Sequence, residues 1–225
     1  MTMRFVEDFF NLAGSLICHQ LPERSLYAGG TVLPVCARDT GIYAGIFTAM
    51  LFLLLMRRLG AQKPPHTAAA VFMCALMLPM VLDGLLSYTG IIRTTNTARL
   101  FTGALFGLPI PFFLVPAAHF DVYGANEKQV LRNLAELIPV YAFLLALCVL
   151  LLKGLVPYVA AGLIFVVGLL FLLARLCYTI LKRMKRLRTG PLYAATFGAT
   201  AGVLLFLFIL STYVLQPLKA VLLGG

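Results

Sequence analysis

The stretch "LAELIPVYAFLLALCVLLLKGLVPYVAAGLIFVVGLLFLLARLCYTI", residues 134–180, decides the fold. It holds two runs of hydrocarbon side chains, 134–152 and 158–180, parted only by the short "KGLVP". Each run approaches the roughly 20 apolar residues that carry a helix across a bilayer core of about 30 Å. The connection between them is short enough for a helical hairpin. Working outward, residues 40–59, 67–88, 98–120 and 193–215 read as further spans. Composition agrees: 61% of the 225 residues are hydrophobic and 12% charged, about half the charged fraction of a soluble domain. The expectation is an all-α, polytopic membrane helical bundle in one domain, residues 1–225. Its residues 1–39 form a surface helix and a Cys/His loop, and 40–215 form six spanning helices.

Three prolines, Pro109, Pro111 and Pro116, interrupt the third span. A spanning helix tolerates them when neighbouring protein satisfies the freed carbonyls, so this span is expected to be kinked and inside the bundle. Ahead of the first span, "MRFVEDFFNLAGSLI" sets Phe5, Phe9, Leu12 and Leu16 at helical spacing, with Glu7 and Asp8 to another side. That pattern fits an amphipathic helix on the membrane surface, or re-entering it. Glu7 and Asp8 and the lack of an uninterrupted apolar segment argue against a cleavable signal.

The formal charge is +10, but the basic residues gather where apolar runs end, which speaks for membrane topology and against nucleic acid. Eleven Lys and Arg flank the loops after the first, third and fifth spans, and seven lie on the other side. The basic excess marks the cytoplasmic face, so both termini are expected outside the prokaryotic cytoplasmic membrane. The run "KRMKRLR" is a topology anchor attracted to anionic lipid heads. The opening loop and the turn "GIIRTTNTARLFTG" then share the outer face.

Two constellations on that face carry chemistry. In the first, Asp83 lies seven residues before Gly90, hence about 10 Å below the outer end of its helix. Intramembrane carboxylates are costly and either pair or line a cavity. Arg93, Asn96 and Arg99 follow, with Gly103 and Gly107 a turn apart. One reading is a pocket in which the arginines bind an anion and Asp83 acts as acid or base. The other is an Asp83–Arg salt bridge that fixes packing, with Gly103 and Gly107 as a small-xxx-small helix contact. In the second constellation, Cys18, His19, Cys36 and Asp39 offer thiolate, imidazole and carboxylate ligands, the donor set of zinc and related metals. A disulfide between Cys18 and Cys36, a thiol pair, or an inert loop held by Gly29, Gly30, Pro22 and Pro34 are the other readings. Arg24 and Arg38 are compatible with any of them as phosphate-binding forks. Cys74, Cys148 and Cys177 fall inside apolar runs, where cysteine behaves as a small hydrophobe. His66 and His119 map to the opposite end, and phosphate-loop, dinucleotide, HExxH and GxSxG motifs are absent.

The segments "CHQLPERSL", "LPVCARDTGIYAG" and "DGLLSYTGIIRTTNTARLFTG", spread in order over about residues 17–107, resemble a family of prokaryotic membrane proteins, the domain of unknown function numbered 2085. Its members look like CHQxPERS, then CARCTGxYxG, then DGxxQxxGxRxSxNxxRxxTG. The resemblance implies that Cys18, His19, Cys36, Arg38, Asp83, Asn96 and Arg99 stand at the family's marked positions; it implies no activity. Three departures stand out: Asp39 replaces a second cysteine, Ser87 replaces a glutamine, and Arg93 falls one residue late. A redox CxxC is therefore absent. The functional expectation is a metal-dependent enzyme, with zinc as cofactor, acting on an anionic lipid or polyprenyl-phosphate-like substrate. Its alternative is a transporter or flippase-like carrier with a structural Cys/His loop. The partners expected are the bilayer and an anionic lipid or phosphate-bearing small molecule, with no nucleic acid.

Overall fold

The structure is a computed structural model that describes residues 2–184 and 189–215. Lys185, Arg186, Arg188 and Lys219, which enter the charge asymmetry, lie outside the described residues. The elements are α1 (Thr2–Ser15), β1 (Ser25–Ala28), β2 (Thr31–Cys36), α2 (Ala37–Leu55), α3 (Thr67–Tyr88), α4 (Asn96–Gly107), α5 (Pro109–His119), α6 (Leu137–Leu152), α7 (Tyr158–Met184) and α8 (Thr189–Leu210). Among the described residues, six helical stretches are long and apolar enough to cross a membrane: Ala37–Leu55, Thr67–Ser87, Asn96–His119, Leu134–Leu152, Tyr158–Met184 and Gly190–Tyr213. This is an integral membrane helical bundle with the six spans expected.

Helices α2 and α4 make the most extensive helix pair, and glycine makes it so close. A Cβ on Gly41 would strike the Leu100 carbonyl oxygen, and one on Gly45 would lie 2.6 Å from the Ala104 oxygen. From the other side, Cβ atoms on Gly103 and Gly107 would strike the carbonyl oxygens of Arg38 and Ile42. Two small-xxx-small stripes therefore mesh backbone to backbone. Both helices run in the same direction from the same end of the bundle, so their first turns, carrying Arg38 and Arg99, are held side by side. The third span breaks as the prolines require: α4 ends at Gly107 and α5 opens on Pro109, with the Leu108 N–H still donating to Ala104 at 3.1 Å.

Burial sorts the spans. The third span and α2 bury 56% and 50% of their apolar windows, α3 and α8 only 11% and 17%. The first pair is the core, and the second pair faces lipid. Cys148 is buried, whereas Cys74 on α3 is exposed and Cys177 is intermediate. On α1 the faces separate by role. Phe5, Phe9 and Leu12 point outward, while Phe10 is 2% exposed, packs edge-on to Tyr158 and fills the space left by Gly162. The surface helix is thus riveted to α7.

The loop expected after α1 is instead a two-stranded antiparallel hairpin. Gly29 and Gly30 form its turn with φ of 57° and 85°, the double positive φ that a tight two-residue hairpin turn demands. Leu33, Pro34 and Val35 of β2 bury against the bundle. At the far end, Arg58 grips Glu136 through two bonds of 2.5 and 2.9 Å. There the Lys63 and Lys128 loops also pair, Lys63 N–H donating to the Lys128 carbonyl at 3.0 Å. His66 caps α3 by accepting from the Ala69 N–H. His119 accepts from Arg175 at 3.2 Å. Both histidines sit far from the hairpin.

Candidate functional site: a charged cleft beside the hairpin

The site is assembled by the hairpin, the two glycine-meshed helices and α3. The end of α1 turns with the Cys18 N–H donating to the Gly14 carbonyl at 2.9 Å. Gly14 is tight against β2, because a Cβ there would collide with the Pro34 carbonyl oxygen. Gln20 locks this turn. Its backbone takes a positive φ of 54°, and its Nε2 donates to the carbonyls of Asn11 at 2.7 Å and Pro34 at 2.9 Å. Cys18 thereby comes to lie against Cys36, whose backbone N–H donates to the Cys18 sulfur at 3.3 Å. Cys36 is the residue before α2, and its Sγ donates to Asp39 Oδ2 in the first turn at 3.2 Å.

Ligand atoms of Cys18, Cys36 and Asp39 all lie within 4.8 Å of one another, a group that could hold a metal ion. Both cysteines are free thiols. The hydrogen bond from Cys36 lowers the pKa of the Cys18 thiol, and the same bond, with burial and the Asp39 charge, raises that of Cys36. Cys36 is therefore the thiol that keeps its proton, and it directs that proton to the Asp39 carboxylate and the Cys18 sulfur beside it. A cation in that position would displace the proton and satisfy all three groups. His19 is outside this group; it is exposed and lines the adjoining cleft.

That cleft has a volume of about 670 Å³, and its lining includes Cys18, Cys36 and Asp39 together with Arg24, Arg38 and Arg99. Arg38 forms an ion pair with Asp83 of α3; their side chains are only 15% and 9% exposed. The salt bridge read from the sequence as a packing device thus takes Arg38, not Arg93 or Arg99, as its cation. Nε atoms of Arg38 and Arg99 are buried without a partner. The α2 and α4 N-termini also converge here, and their dipoles add to the positive potential.

Other expected site residues fall at or beyond the margin. Asp83 stands behind Arg38 and is not among the cleft's lining residues. Arg93 is exposed in the turn between α3 and α4 and does not line the cleft. Asn96 works as a strut: its Nδ2 donates to the carbonyls of Glu23 and Ser25, both at 3.2 Å, tying α4 to the start of the hairpin. Replacing Asn96 by alanine should cost about 1 kcal/mol, chiefly through the part-buried Ser25 carbonyl, since the exposed Glu23 carbonyl regains water. Thermal unfolding in detergent would measure this, and an unchanged midpoint would remove the strut. Sequence reasoning missed Gln20 and the hairpin. The signal for the hairpin was present, since "SLYA" and "TVLPVC" flank a Gly-Gly pair.

Comparisons with known proteins converge on this region. Residues 18–113 match the family model described as predicted membrane protein (DUF2085). An uncharacterized protein of Methanocaldococcus jannaschii is 33% identical over 120 residues, covering 53% of this chain and 75% of that protein. An uncharacterized protein of Methanothermobacter thermautotrophicus is 37% identical over 93 residues, covering 41% and 78% respectively. No solved structure matches the chain. The matched family segment runs from the first cysteine of the cleft to the glycine-meshed third span, and the chain belongs to the DUF2085 family of predicted membrane proteins.

Proposed function

We propose that the cleft is the site of a metal-dependent enzyme acting on a phosphate-bearing anionic substrate. The observation that carries this reading is that three arginines and a Cys18–Cys36–Asp39 ligand group line one cavity. Two thiolates and a carboxylate suit zinc, and three protein ligands leave a fourth position for water or substrate. When bound, zinc would supply Lewis-acid polarisation and an activated water. Arg24 and Arg99 bind the anion, the guanidinium fork matching phosphate oxygens. Arg38 lines the same cleft while paired with Asp83, and an acid–base role for Asp83 requires an incoming anion to draw Arg38 away. The charge asymmetry along the chain supports an outward-facing cleft on a prokaryotic cytoplasmic membrane, with both termini on that side.

Metal analysis of detergent-purified protein tests the reading. Stoichiometric zinc is expected in the wild-type protein and its loss in Cys36→Ala, with the protein still monodisperse. Absence of metal, with Cys18 and Cys36 oxidised to each other, would sink it.

A further inference from the structure

The cleft does not end at its charged residues. On α3 it is walled by Met80, Val81, Gly84 and Ser87, positions that share one face of a helix. Met80 lies seven residues, about 10 Å, below Ser87 at the end of the span. Phe106, also in the wall, lies the same distance beyond Arg99 along α4. The cleft therefore runs from arginines in the first turns of α2 and α4 to apolar side chains well inside the spans. Val81 is 51% exposed within the span, so this wall borders the lipid phase.

Gly84 is the telling residue. A glycine inside a helix costs up to about 1 kcal/mol relative to alanine. At Gly41, Gly45, Gly103 and Gly107 a close helix contact explains it, but a Cβ on Gly84 would meet nothing within 4 Å. Its φ is not in the left-handed region either. Gly198 and Gly202 of α8 have the same open surroundings, but of the three Gly84 is the one that lines the cleft, where the space lies alongside Met80 and Phe106.

We infer that Gly84 is a specificity-determining residue that keeps a lane open for one hydrocarbon chain. The substrate is then a membrane-embedded amphiphile whose phosphate reaches Arg24 and Arg99 and whose chain runs between α3 and α4. A volume of about 670 Å³ falls in the range of small-molecule sites. It accommodates a headgroup and the start of a chain, the remainder lying in lipid. The inference rests on the reading of the cleft as an anion site, and names the kind of anion.

The test uses full-length protein in a neutral maltoside detergent, with inorganic phosphate, butyl phosphate and dodecyl phosphate as probes. Apparent affinities come from the ligand-dependent rise of the unfolding midpoint. Dodecyl phosphate should bind at least about tenfold more tightly than butyl phosphate, as burial of a few methylene groups requires. Gly84→Leu should abolish that advantage while leaving butyl phosphate within about twofold, since both phosphates keep the same arginines. Gly198→Leu, at a lipid-facing glycine of α8 that also has open space around it, should change neither. Equal affinity for the two alkyl phosphates, or a Gly84→Leu protein that retains the chain-length advantage, overturns the inference and leaves the anion site standing. Failure of the wild-type protein to bind any of the three phosphates overturns the anion site itself, and the inference with it.

Discussion

Gly107→Val is expected to be the most damaging single substitution in the bundle. Its side chain would occupy the position of the Ile42 carbonyl oxygen, and a backbone atom cannot rotate away as a side chain can. Overpacking a core with extra methylenes costs about 1–3 kcal/mol. Here α2 and α4 must separate along their whole contact, so the loss should reach or exceed the upper end of that range. Size-exclusion profiles and unfolding midpoints in detergent give the readout. Gly202→Val on α8 is the control, because a Cβ there meets nothing within 4 Å. Equal behaviour of the two variants would mean that α2 and α4 do not approach this closely. The separation would also move Arg38 away from Arg99, so phosphate binding should fall with stability.

The second large effect is expected at the Arg38–Asp83 ion pair. Arg38→Met leaves the Asp83 carboxylate inside a spanning helix with its side chain 9% exposed and its cation gone. Removing one partner of a buried pair costs about 3–5 kcal/mol, because the remaining charge is stranded, whereas replacing both by apolar groups is often neutral. Arg38→Met/Asp83→Leu should therefore regain most of the stability lost in Arg38→Met alone. If the double variant is no more stable than the single one, the two side chains are not coupled. The double variant also separates structure from binding. It should fold, yet bind dodecyl phosphate more weakly than the wild type, since the pair's contribution to the cleft's field is missing.

Much of this architecture is legible in the chain because the bilayer imposes a simple rule. Every backbone polar group in hydrocarbon must be satisfied within its own segment, so apolar runs of the right length become helices. The runs at 134–152 and 158–180 needed no more than their composition, and the proline-broken third span followed from missing N–H groups. Gly103 and Gly107 announced a close contact for the same local reason. The partner of that contact did not follow, since nothing in α4 states that Gly41 and Gly45 of α2 will face it. The hairpin was obscured by the eye-catching Cys and His around it, although Gly29-Gly30 carried a local signal.

By itself the sequence determined the class of the protein, the number of spans, and the two segments from which a site could be drawn. Those properties depend on solvent and on backbone valence, both of which act locally along the chain. Only the tertiary structure decided that Arg38 takes Asp83, that Asn96 holds the hairpin rather than lining the cleft, and that Cys18, Cys36 and Asp39 meet without His19. Each of these is a pairing across 18 to 73 positions of sequence, except Cys36 with its neighbour Asp39. Such pairings arise from how separate segments pack: Gly14 and Gln20 against Pro34 bring Cys18 to Cys36, and the glycine contact of α2 with α4 holds Arg38 beside the start of α4.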